Sequence, residues 1–119
     1  MRDTIMWWMS RLTIMLTSLF LSFSLAQSAY ATEIQMGYNG NLVFEPSEVT
    51  ISAGDTVTFV NNALPPHNII VDGRADLSRE SLMFSPGETQ EIVFADTGDF
   101  NFKCAPHEGA GMKGVIHVN

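Results

Sequence analysis

The single cysteine of this 119-residue chain, Cys104, opens the run Cys104-Ala105-Pro106-His107-Glu108-Gly109-Ala110-Gly111-Met112. A thiol, an imidazole and a thioether thus fall within nine residues, and a second imidazole, His67, lies upstream in Pro65-Pro66-His67-Asn68. One thiolate, two imidazoles and a weak axial thioether make up the donor set of a blue-copper electron-transfer site. Soft sulfur suits Cu(I), and imidazole accepts both oxidation states. The chemistry implied is the transfer of single electrons.

Each residue taken alone has a plainer reading. An isolated cysteine is usually a small buried hydrophobe, and an isolated methionine fills gaps in a core. Their joint spacing argues otherwise, because the residues between them are those a ligand loop needs. Pro106 stiffens the turn after Cys104 through its fixed φ. Gly109 and Gly111 permit the backbone angles that let the loop curl and bring Met112 back. Zinc is a poorer match, since structural zinc takes Cys and His alone and catalytic zinc keeps a position for water. A Cys–His nucleophile would need an orienting third group and an oxyanion hole, and Met112 would then have no role. His117, in Val115-Ile116-His117-Val118, alternates with apolar neighbours and reads as the solvent side of a strand. Glu108 reads as an exposed loop charge.

The elements that must position these side chains read as short strands. Glu33–Tyr38, Ser47–Ser52, Thr56–Asn62, His67–Val71, Gln90–Ala95, Asp99–Cys104 and Lys113–Asn119 are rich in β-branched or aromatic residues, several alternating with period two. Phe100, Phe102 and Cys104 fall on one face, which directs Cys104 inward and Lys103 outward. Ala53-Gly54-Asp55, Ser85-Pro86-Gly87 and Thr97-Gly98 are turn signals. Asp72–Met83 is polar without strand alternation and reads as a loop with one helical turn. Seven or so strands in fewer than 100 residues predict an all-β fold, a Greek-key β-sandwich. His67 then comes from a strand beside the one that ends at Cys104.

The first thirty-one residues differ from the rest. Arg2 and Arg11 precede an apolar stretch from Leu12 to about Leu25, and Ala29-Tyr30-Ala31 offers a small-x-small cleavage site. This is the pattern of a secretory signal peptide over residues 1–31. The apolar stretch is shorter than the roughly 20 residues of a membrane-spanning helix. Residues 32–119 form one domain with twelve Asp and Glu against four Lys and Arg, a balance of −8. Such a charge argues against nucleic acid as a partner and can steer a carrier toward positive surfaces. With one cysteine an exported domain forms no internal disulfide, so its thiol is buried, reactive or ligated.

The mature segment resembles the plastocyanins, the cupredoxin family of oxygenic photosynthesis, in their cyanobacterial form. The resemblance rests on Leu42-Val43-Phe44-Glu45-Pro46, Ala53-Gly54-Asp55-Thr56-Val57, Asn61-Asn62 followed by Leu64-Pro65-Pro66-His67-Asn68, and the Cys104–Met112 run. It implies one copper ion on His67, Cys104, His107 and Met112. It implies a soluble, monomeric shuttle in the thylakoid lumen, peripheral at the membrane, that carries electrons from cytochrome f of the cytochrome b6f complex to photosystem I. It further implies that Leu42 and Pro66 belong to an apolar docking patch around the edge of His107, and that Asn68 steadies the ligand loops. The chain departs from the family at Lys103, where an aromatic residue commonly precedes the cysteine. Glu108 stands where cyanobacterial relatives often carry Arg, and Asp72–Met83 looks shortened.

Two other functions compete with this one. A periplasmic cupredoxin serving a different redox enzyme would have the same copper site and a different docking surface. A copper-delivery protein would need an open, Met-rich or His-rich site, but four of the seven methionines lie in the signal peptide. A full set of four protein ligands leaves no position for a substrate, so an electron-transfer protein is expected rather than an enzyme.

Overall fold

The computed structural model describes residues 31–119; the signal peptide expected over 1–31 lies outside them except for Ala31. Among the described residues, nine strands make two sheets. The first holds β2 (Phe44–Glu45), β1 (Ala31–Met36), β4 (Asp55–Asn61) and β7 (Thr89–Phe94), in that order. The second holds β3 (Glu48–Ile51), β9 (Lys113–Val118), β8 (Gly98–Lys103), β5 (His67–Val71) and β6 (Arg79–Met83). β1 runs parallel to β4 and β3 parallel to β9, while the other neighbours are antiparallel. The chain crosses between sheets after β2, β3, β4, β6 and β7, as a Greek-key sandwich requires.

Alternation along the strands explains the core. Val57, Phe59 and Asn61 of β4 point inward, as do Ile92 and Phe94 of β7, and all five are buried. From the other sheet come Ile69, Val71, Phe102 and Ile116. Phe44, Phe59 and Phe102 meet edge to face, with ring centroids 4.7 to 6.2 Å apart. Each such pair adds about 0.5–1.5 kcal/mol beyond the area it buries. Phe102 is therefore held from both sheets, two residues before Cys104. Buried Asn61 donates from Nδ2 to the Ser85 carbonyl at 3.1 Å, and its own backbone binds Glu88 and Gly87. It anchors the turn between β6 and β7.

The structure corrects the reading of Asp72–Met83. Residues 72–78 make successive i→i+3 turns, with Leu77 bonded to Arg74 and Ser78 to Ala75, but residues 79–83 are strand. β6 escapes the alternation test because it is an edge strand, with only Arg79, half-buried, and Met83, buried, turned from solvent. It meets β5 at His67–Met83 and Ile69–Arg79, with an irregularity between. β2, two residues long, is likewise absent from the sequence reading. β1 stops at Met36 rather than Tyr38, because Gly37 turns left-handed at φ 75°.

The outer face of the second sheet carries one clasp. His117 on β9 bonds Asp99 on β8 through Nδ1 and Glu48 on β3 through Nε2, each at 2.6 Å. The bonds to Asp99 and then Glu48 raise its pKa above the ordinary imidazole value, against a smaller opposing effect of burial. A pKa raised by folding gives stability that is complete below the unfolded value, about 6.5, and is lost as pH climbs through the raised one. His117→Gln should therefore lower the urea midpoint at mildly acidic pH, and the two proteins should converge as pH rises; a gap that widens with pH would contradict this. Gly114 marks a second constraint, since a Cβ there would overlap the Ser47 carbonyl and stand 2.5 Å from the Phe102 ring. Gly114→Ala should cost about 1–3 kcal/mol in denaturant unfolding, the usual penalty of overpacking.

Candidate metal centre

Two connections at one end of the sandwich, β4–β5 and β8–β9, bring the chemistry together. His67 is the first residue of β5, at the close of the β4–β5 connection, and is wholly buried. Cys104 follows the last residue of β8 and is also wholly buried. His107 lies in the 3₁₀ segment Ala105–Ala110, half-buried. The loop that carries it closes on itself through backbone bonds. Cys104 N–H donates to the Met112 carbonyl, His107 N–H to the Cys104 carbonyl and Met112 N–H to the His107 carbonyl, at 3.1 to 3.2 Å. Pro106 stands in the first turn of the 3₁₀ segment and Gly111 ends it at φ 88°. Gly109 needs no positive φ, so only one of the two glycines supplies the left-handed turn.

The donor atoms face one another. His67 Nδ1 is 3.2 Å from His107 Nδ1, and Cys104 Sγ is 3.7 Å from the first and 3.4 Å from the second. A point equidistant from the three lies about 2.0 Å from each, close to metal–imidazole and metal–thiolate bond lengths. The thiol has one proton and can serve only one of the two facing nitrogens. Three electron-pair donors turned on one point inside a buried pocket suit a cation better than they suit each other. Met112, the fourth residue expected here, is wholly buried, and its backbone bonds those of Cys104 and His107.

The surroundings set the charge of the metal-free site. Burial raises the Cys104 thiol pKa, partly offset by the backbone N–H groups of Asn68 and His107. Burial, and then the neighbouring His107, lower that of His67, while the Ala63 carbonyl acts in the opposite sense. The His67 ring is thereby favoured neutral, as ligation requires.

Asn68, on β5, joins a loop to a strand. Its Oδ1 accepts the Ala105 N–H at 2.8 Å and its Nδ2 donates to the Glu80 carbonyl at 3.1 Å, tying the start of the 3₁₀ segment to β6. Leu42 and Pro66, from two neighbouring loops, are half-buried. Lys103 points outward, but its Nζ lies 3.3 Å from Glu108 and 3.7 Å from Asp72. The sequence reading took Lys103 and Glu108 as separate charges; their pairing follows from the way the 3₁₀ segment folds back beside β8. Gly37, which the sequence reading passed over, packs against His67. Its only sequence signal is a glycine at the start of Gly37-Tyr38-Asn39-Gly40.

Comparison with known proteins agrees with this geometry. A family model described as copper binding proteins of the plastocyanin/azurin family matches residues 31–119. Chloroplastic plastocyanin of Oryza sativa subsp. indica is 42% identical over 82% of this chain and 70% of its own. Chloroplastic plastocyanin of Tetradesmus obliquus is 45% identical over 81% of this chain and 72% of its own. Among solved structures, a mutant fern plastocyanin superposes with a TM-score of 0.67 at 29% identity, over 74% of this chain and all of that one. Amicyanin of Paracoccus versutus does so with 0.62 at 26% identity, over 78% and 85%.

A cation held by these three donors should stabilise the fold by mass action. At free copper about a hundredfold above the dissociation constant, the gain is about 2.7 kcal/mol. Cys104→Ser should abolish both that gain and the thiolate-to-copper absorption. Retention of the visible band in the variant would rule out Cys104 as the sulfur donor.

Proposed function

Because the chain belongs to the copper-binding plastocyanin/azurin family and is a blue-copper electron carrier, we propose that it carries single electrons from cytochrome f of the cytochrome b6f complex to photosystem I. Export by the N-terminal signal peptide would put it in the thylakoid lumen as a soluble monomer. His67, Cys104, His107 and Met112 would hold the copper ion. Bound copper supplies the Cu(II)/Cu(I) couple.

The chain's own residues do the rest. The observation that carries the proposal is the difference in exposure among the three donors. His67 and Cys104 are sealed inside, whereas His107 reaches toward solvent. Electrons then enter and leave through the His107 edge, the one donor a partner can approach. Leu42 and Pro66 supply apolar surface around that edge, where a partner can dock without a deep or lasting interface. The closed Cys104–Met112 loop and the Asn68 bridge keep the donors from moving when the charge at the centre changes by one. Small rearrangement means a small barrier to transfer.

The side face is altered. Lys103 replaces the family's aromatic residue and is matched by Glu108 and Asp72, so this face offers a locally balanced cluster rather than a strong charge. A partner outside photosynthesis, in the periplasm, is the second reading, favoured by this one change.

Flash-induced reduction of cyanobacterial photosystem I by the copper-loaded 32–119 protein tests the proposal. Fast, saturable, salt-dependent transfer is expected. A protein that turns blue yet donates slowly belongs with another partner. Lys103→Tyr should leave the copper absorption unchanged and alter the transfer rate to at least one partner; unaltered kinetics with both cytochrome f and photosystem I would remove any docking role from this face.

A further inference from the structure

We propose that Gly37 is the positioning residue for His67: its bare backbone is the wall against which the imidazole is set. This rests on the reading of His67 as a copper ligand. Gly37 ends β1 in the left-handed region, φ 75° and ψ 34°. A Cβ built there would stand 2.8 Å from His67 Nε2, 3.4 Å from Cδ2 of the same ring and 3.1 Å from the Ala63 carbonyl oxygen. Contacts under 3.0 Å force something to move. The neighbours have little freedom, since the Ala63 oxygen is backbone and His67 is wholly buried.

Gly37 itself is pinned. Its N–H donates to the Val43 carbonyl at 3.0 Å, its carbonyl accepts the Gly40 N–H at 2.9 Å, and the preceding Met36 carbonyl accepts the Asn62 N–H at 2.8 Å. The wall therefore belongs to the same β1–β4 framework that carries the β4–β5 loop toward His67. The imidazole meets it with the Nε2–Cδ2 edge, opposite Nδ1, which faces Cys104 Sγ. Nε2 has no hydrogen-bond partner. A metal-ligating histidine is normally oriented through its second nitrogen, and the Gly37 backbone stands beside that nitrogen. A side chain at 37 would push on the outer edge of the ring and displace Nδ1 from the other two donors.

The same loop contains its own control. Gly40 has almost the same backbone, φ 77°, yet a Cβ there meets nothing within 4 Å. Gly37→Ala and Gly40→Ala thus carry the same left-handed strain, and only the first adds contact with His67. The experiment loads both variants, the parent protein and His67→Ala with copper. It measures the visible absorption, the reduction potential and the rate of copper loss to a chelator, with thermal unfolding of the metal-free forms alongside.

The metal-free Gly37→Ala form should lose more thermal stability than Gly40→Ala, because only its Cβ meets His67 and the Ala63 carbonyl. Gly37→Ala alone should shift the absorption band and the potential, and should lose copper about tenfold faster or more, the scale on which supporting residues act. Gly40→Ala should stay within about twofold of the parent. Equal spectra, potentials and release rates for the two alanine variants would overturn the inference. If His67→Ala kept the parent's blue band, the ligand reading would fall instead. Should Gly37→Ala fail to fold, Gly37→Ala combined with His67→Ala removes the ring in the way; recovered folding supports the contact, and continued failure overturns it.

Discussion

Everything at the functional end of this molecule depends on holding three electron-pair donors face to face, two of them sealed from water, before any metal arrives. Two imidazole nitrogens and a sulfur at 3.2 to 3.7 Å gain little from one another. Their closeness is imposed by the scaffold and offset by packing elsewhere. The aromatic cluster of Phe44, Phe59 and Phe102 ties β8 to the opposite sheet, and β8 delivers Cys104. The backbone bonds within Cys104–Met112 then leave His107 few alternatives. A site assembled in this way resists rearrangement when its charge changes, which is what an electron carrier needs.

The same economy governs the surroundings. His67 is set by a glycine wall on its outer edge, Asn68 bridges two strands and a loop, and Asn61 anchors the turn beside β6. None of these residues needs to touch a metal to matter. The side face shows a different logic: Lys103 would be a lone cation beside the buried thiol, but Glu108 and Asp72 stand next to it. Exposed pairs of this kind contribute little to stability. Their consequence is electrostatic, for an otherwise acidic protein keeps a balanced patch one residue from its redox centre.

The donor types and the strands that carry them were legible in the chain, because both are local properties. Cys104, His107 and Met112 sit in one run whose Pro and Gly belong to a tight loop. The Phe100-Phe102-Cys104 alternation decides which face the cysteine takes, and a period of two survives in most strands because one face is buried. β6 was not legible, since an edge strand with polar neighbours has no alternation to read. Nor was the exact turn at Gly37, where the chain leaves β1 two residues early.

Sequence alone therefore determined the chemistry on offer, a soft sulfur, two imidazoles and a thioether on an all-β frame, since residue type and short-range spacing are written directly in the chain. Tertiary structure decided what those groups meet. That His67 reaches Cys104 across 37 residues, that a bare Gly37 backbone stands behind its ring, and that Lys103 finds Glu108 and Asp72 are consequences of which strands lie side by side. Contacts between distant segments depend on the packing of both sheets at once, and no local pattern of residues carries that information.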